Sequence, residues 1–145
     1  MTIMQIILAT AALLQFIFLM VLMISAVLEL NIRLAMPPGC EAVARSFYQE
    51  ILEIPEVVMP PKVAGRGGCW FESFDGMTIH LGPKADFRPA RRAYLGLTVS
   101  GFEELCARLR AHGYEVHREP VRRGSPFAFV EDPFGNRIKI IDAGY

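Results

Sequence analysis

The first 28 residues carry no ionisable side chain, and the whole chain carries no net charge, its 15 lysines and arginines balancing 15 aspartates and glutamates over 145 residues. Without a basic excess it lacks the electrostatic footprint of a nucleic-acid-binding protein. Cysteine is scarce. Cys40, Cys69 and Cys106 are odd in number, widely spaced and in no CxxC arrangement, which argues against a disulfide framework and leaves packing in a reduced compartment. No phosphate-binding glycine loop, nucleophile elbow or zinc-finger spacing occurs. A cleaved signal peptide does not fit either, because no basic residue precedes the apolar start and no clear small-x-small site precedes Glu29.

What the amino terminus does hold is an apolar run from Met1 to Leu28, interrupted by Thr2, Gln5, Thr10, Gln15 and Ser25. As a helix, residues 3 to 28 would rise about 39 Å, against about 30 Å for a bilayer core. Residues 1–28 are therefore expected to form a hydrophobic helix and a membrane anchor, with Arg33 and Arg45 behind it keeping residues 29–145 cytoplasmic. A second reading stays open: strand-like alternation begins near Leu28 without a linker, and Met20 and Met23 stand where a shorter chain could start.

From Glu29 onward the patterning is that of an α+β domain. Leu30, Ile32, Leu34 and Met36 share one face of a strand that Pro37-Pro38-Gly39 stops. Glu41 to Glu53 carries Val43, Phe47 and Ile51 at helical spacing, and Pro55 follows. Short strands are predicted at Glu56 to Met59, Gly68 to Ser73 and Met77 to Leu81, the last two joined by the Asp75-Gly76 hairpin signal. A polar connector, residues 83–92, leads to a second strand-helix-strands run. There Ser100 to Glu103 reads as a capping box and Gly113 as a helix stop, with strands at Tyr114 to Arg118, Phe127 to Glu131 and Arg137 to Asp142. The turn Asp132-Pro133-Phe134-Gly135-Asn136 launches the last strand, which puts Ile138 and Ile140 on one face and Arg137, Lys139 and Ile141 on the other.

The second half repeats the first. From Asn31 to Val57 is 26 positions and from Tyr94 to Val116 is 22; from Asn31 to His80 is 49 and from Tyr94 to Lys139 is 45. One four-residue difference explains both pairs, so Asn31 corresponds to Tyr94 and His80 to Lys139. Two βαβββ modules, 29–82 and 93–145, are thus expected as curled mixed sheets around a shared cavity, into which Asn31, Arg33, Thr78, His80, Tyr94, Thr98, Arg137 and Lys139 point.

In LAMPPGCEAVARSFYQEILEIPEV, GCWFE, IHLG and EDPFGNRIKIID, residues 29–145 resemble the vicinal oxygen chelate superfamily of glyoxalases, extradiol dioxygenases and bleomycin or fosfomycin resistance proteins. The resemblance implies the paired-module fold and a homodimer. It also implies metal ligands at the positions of Asn31, His80, Tyr94 and Lys139, of which His80 alone is a ligand type. A lysine ammonium about 4 Å from a divalent cation meets a repulsion of roughly 8 kcal/mol at an effective dielectric near 20. No metal or other cofactor is therefore expected, and the cavity, with Arg33 and Arg137, suits a small anionic or oxygen-rich ligand. If a reaction occurs, His80, Tyr94 and Lys139 are the candidate catalytic groups, in a lyase or dioxygenase with an altered ligand set. A tethered module without activity is the third reading. Of Trp70 and Phe71 one is expected in the core and one in the cavity or a subunit contact. Phe127 and Phe129 are expected in the core, His112 at a helix end and His117 exposed.

Overall fold

The structure, a computed structural model, describes residues 3–27, 31–120 and 123–144, with the side chains of residues 5, 6, 8, 9 and 22–27 outside the description. It divides into two units, Met1–Leu30 and Asn31–Tyr145. In the first, α1 (Ile3–Val27) is one helix of 25 residues, as a run of Ile, Leu, Met and Ala without proline or glycine favours. Among the described residues no helix is long and apolar enough to cross a membrane, so the anchor expected over residues 1–28 is not upheld. The strand start expected at Glu29 and Leu30 lies outside the described residues.

The second unit opens with β1 (Asn31–Met36), then α2 (Glu41–Arg45), which passes directly into a π-helical stretch over Ser46–Ile51. The helix expected as far as Glu53 ends earlier, because Glu53 takes a left-handed φ of 58°, the one positive φ outside glycine among the described residues. Arg108 clamps this exit, Nε donating to the Ile51 carbonyl at 2.8 Å and Nη1 to the Glu53 carboxylate at 3.0 Å. β2 (Cys69–Glu72) and β3 (Thr78–Pro83) form the expected hairpin, with Gly76 at φ 79° in its turn. β1 runs parallel to β3 and β2 antiparallel to it, in the order β1-β3-β2. The strand expected at Glu56 to Met59 shrinks to one bridge from Glu56 to Phe71. Pro55 and Pro60 bracket it without amide hydrogens to extend the ladder.

The second module is β4 (Tyr94–Val99), α3 (Phe102–Ala111), β5 (His117–Arg118), β6 (Phe127–Glu131) and β7 (Arg137–Asp142). Its order, β4-β7-β6-β5, repeats the first with the fourth strand kept, though β5 retains two of the five residues expected. Asn31 pairs with Thr78 and Tyr94 with Arg137, each two residues before His80 or Lys139, so the repeat extends to ladder register. The capping box expected at Ser100 is not formed; Gly101, at φ 71°, precedes α3 with no side-chain cap. The sheets are two separate small mixed sheets of three and four strands, and they do not close as a barrel around a cavity.

The core lies on the helix side of both sheets and runs through both modules, joining Phe47, Tyr48, Phe71 and Ile79 to Leu97, Leu105, Ile138 and Ile140. One polar knot crosses it. The buried Asp132 carboxylate accepts from the Tyr48 hydroxyl, the Asn136 amide N–H and Asn136 Nδ2, each at 2.8 Å, and from the Phe134 N–H at 2.9 Å. Asn136 Nδ2 also donates to the Ala35 carbonyl at 2.9 Å, fastening the turn before β7 to the end of β1. Gly135, at φ 86°, supplies the reversal read from the sequence.

Candidate functional site

Alternation fixes which side chains leave the core. On β3, Ile79 and Leu81 are buried while Thr78 and His80 are half-buried; on β7, Ile138 and Ile140 are buried while Arg137, Lys139 and Ile141 are half-buried. The candidate groups therefore occupy the sheet faces opposite the helices.

On the first sheet, Arg33, His80 and Trp70 stand in one row across β1, β3 and β2, because His80 is the register partner of both the others. The Trp70 and His80 rings lie 4.7 Å apart at 31°. Phe71 is fully buried and stacks on Tyr48 at 5.2 Å, so Trp70 is the member of its pair that leaves the core. Burial, and then the Arg33 charge, lower the His80 pKa below its ordinary value. Asn31, beside Thr78, is exposed.

On the second sheet the same row is Gly96, Lys139 and Phe129. Lys139 Nζ sits 4.0 Å from the centre of the Phe127 ring and the Arg137 guanidinium 4.6 Å from that of Phe129. Phe127 and Phe129 meet edge-to-face at 5.9 Å, and Tyr94 reaches Phe129 at 5.6 Å. Placing Phe127 and Phe129 in the core was therefore incorrect: Ala128 and Val130 are the buried residues of β6. The sequence signal was the turn itself, since pairing outward from it sets Phe129 opposite Lys139. The run Phe127-Ala128-Phe129-Val130 is apolar throughout, so periodicity alone could not choose a face.

Arg33, Arg137 and Lys139 have no carboxylate partner among the described residues, whereas Arg45, Lys84, Arg108 and Arg118 each have one. The eight expected residues thus group as two faces. Arg33 meets His80, Asn31 meets Thr78 and Tyr94 meets Arg137, but no described contact joins the first face to the second. Two clefts open elsewhere. One of about 540 Å³ lies among Arg45, Gln49, Glu56, Val58, Met59 and Trp70. Another of about 920 Å³ lies among Leu52, Glu53, Phe74, Thr98, Glu104 and Arg108. Of the eight, Thr98 alone lines either.

At the four positions singled out from the sequence, His80 is the single residue of a common metal-ligand type. Asn31, Tyr94 and Lys139 offer an amide, a phenol and an ammonium beside a single imidazole, and no cluster of three His, Cys, Asp or Glu able to hold a metal occurs among the described residues. Burial raises the Cys69 thiol to about 11 and raises that of Cys106, so neither is a thiolate nucleophile at neutral pH. His112 Nδ1 lies 2.8 Å from the Arg108 carbonyl at the end of α3, and His117 is exposed beside Glu115.

Residues 42–140 match the family model described as the Glyoxalase/Bleomycin resistance protein/Dioxygenase superfamily. The lactoylglutathione lyase of Salmonella typhimurium is 32% identical over 109 residues, covering 68% of this chain and 81% of its own length. A glyoxalase family protein from Bacillus anthracis superposes with a TM-score of 0.73 at 36% identity, covering 79% of this chain and 93% of that one. An antibiotic binding protein from Streptomyces shares the fold at a TM-score of 0.59 and 22% identity, covering 76% and 92%.

Proposed function

The chain belongs to the Glyoxalase/Bleomycin resistance protein/Dioxygenase superfamily, and on that premise we propose that it binds a small anionic or oxygen-rich molecule at its strand faces without a divalent metal. The observation that carries this reading is the pair of cations on β7. Arg137 and Lys139 lie over Phe129 and Phe127 with no carboxylate partner among the described residues. An aromatic face holds a cation without neutralising it, so the charge stays available to an incoming oxyanion. Arg33, on the other sheet, adds a third cation with no carboxylate partner among the described residues. The Streptomyces protein, described as antibiotic binding, shows that this fold accommodates a binding role.

A second reading draws on the 32% identity to a lactoylglutathione lyase. It is a lyase with an altered ligand set, in which His80 binds metal and Tyr94 or Lys139 moves a proton. One experiment separates the two. The full-length chain is dialysed against Fe, Mn, Ni and Zn in turn, and its metal content is measured by elemental mass spectrometry. The binding reading expects far less than one ion per chain in every case; near-stoichiometric metal that is lost in His80→Ala overturns it. In calorimetric titrations with pyruvate, benzoate and inorganic phosphate, Lys139→Ala is expected to weaken anion binding by about tenfold.

Assembly belongs to the same proposal. Tyr94 is 52% exposed on β4, the edge strand of its sheet, and a homodimer would cover it at that edge. Sedimentation equilibrium of the full-length chain is expected to give twice the chain mass, and a monomer at all accessible concentrations overturns it.

A further inference from the structure

Trp70 is 9% exposed yet stands outside the continuous apolar core. Its indole Nε1 and the Nδ1 of His80, on the ring tilted against it, are both buried, and neither has a hydrogen-bond partner among the described residues. Such atoms are rare in folded proteins, because leaving a buried donor unpaired forfeits its hydration and returns nothing. An indole N–H can only donate, and a neutral imidazole offers one donor and one acceptor.

The repeat shows what packing alone needs at this place. Phe129 is the second-module counterpart of Trp70, opposite Lys139 as Trp70 is opposite His80. A phenyl ring serves there, with no polar atom to satisfy. Trp70 therefore adds an N–H whose partner the described residues do not supply. The third member of the row, Arg33, lies beside His80 with no carboxylate partner among the described residues. Trp70 also lines the cleft of about 540 Å³ beside residues 57–59.

We propose that the row Arg33, His80 and Trp70 is a carboxylate subsite, in which the indole and imidazole N–H groups donate to the carboxylate oxygens and Arg33 supplies the charge. This rests on the anion-binding reading above and narrows its ligand to a small carboxylic acid. The subsite uses His80 as a neutral donor, a different role from that of a metal ligand.

Trp70 is the only tryptophan in the chain, so its indole gives a single N–H resonance in a nitrogen-15 spectrum of the full-length protein. Addition of pyruvate or benzoate is expected to move that resonance downfield, saturably, whereas the neutral benzyl alcohol leaves it unmoved. Trp70→Phe and His80→Phe are each expected to weaken carboxylate binding by about tenfold, the effect of one lost charge-assisted hydrogen bond. His80→Asn, whose amide reproduces an Nδ1 donor, should stay within about threefold of wild type. Circular dichroism verifies the fold of each variant, and if Trp70→Phe does not fold, the resonance and the His80 pair decide. Carboxylates that bind in a Lys139-dependent way while the indole resonance stays fixed overturn this subsite alone, as does an indole already hydrogen-bonded to trapped water. If no carboxylate and no phosphate binds the wild-type chain, the anion-binding reading fails and the subsite with it.

Discussion

Asp132 holds four donors at once, and its removal would strand three of them: the Tyr48 hydroxyl and the Asn136 and Phe134 amides. Each stranded buried donor costs about 1–3 kcal/mol, so Asp132→Ala is expected to destabilise the fold by at least about 3 kcal/mol in urea unfolding. Burial raises the Asp132 pKa against the hydrogen bonds that lower it, so Asp132 takes up a proton at higher pH than a surface carboxylate and its protonation does not favour the unfolded chain. His80 behaves in the opposite sense. Its folded pKa lies below the ordinary 6.5, so below that pH the unfolded chain takes up the proton more readily. Stability is therefore undiminished above pH 6.5 and falls as pH drops toward the folded pKa. His80→Asn cannot titrate. Urea midpoints at about pH 7.5 and about pH 5.5 are expected to fall further for wild type than for this variant.

At the scale of elements, the helix exit at Glu53 departs from what its residue type prefers. A left-handed conformation favours glycine by roughly 1–2 kcal/mol over an ordinary residue, while the half-exposed Arg108–Glu53 pair contributes about 0–1 kcal/mol. Glu53→Gly is expected to raise stability by about 0.5–1 kcal/mol in thermal and urea unfolding, with the Arg108 bond to Ile51 retained. The sequence made β1, β3, β4 and β7 legible because each alternates an apolar side with a polar one. It made the Asp75-Gly76 and Gly135 reversals legible because those residues adopt positive φ readily. It did not disclose that the Glu56 strand would reduce to a bridge, since two prolines remove donors only where a partner strand would need them. Nor did it reveal that Phe127 and Phe129 leave the core, because their strand is apolar on both sides. Of the candidate site, the choice of His80, Arg137 and Lys139 as non-core positions followed from alternation. Of their aromatic supports, Phe129 and Phe127 became visible only through cross-strand register, while for Trp70 alternation left the choice between it and Phe71 to be made by packing.

At the scale of the molecule, the two modules of residues 31–145 share one core and the bonds from Tyr48 to Asp132, from Arg108 to Ile51 and from Asn136 to Ala35. These connections predict that the modules unfold together. Trp70 fluorescence reports the first module, and far-UV circular dichroism reports both. Their urea midpoints are expected to coincide and to shift together in Asp132→Ala, whereas two separated transitions would show that each module is stable alone.

Lys139, over the Phe127 ring, brings one more consequence. A positive charge built into a strand is neither loaded nor lost: chelators do not strip it, scarcity of transition metals does not deplete it, and oxidants find no redox centre there. Any recognition founded on it would persist through metal starvation, when a protein that borrows its charge from the medium falls silent.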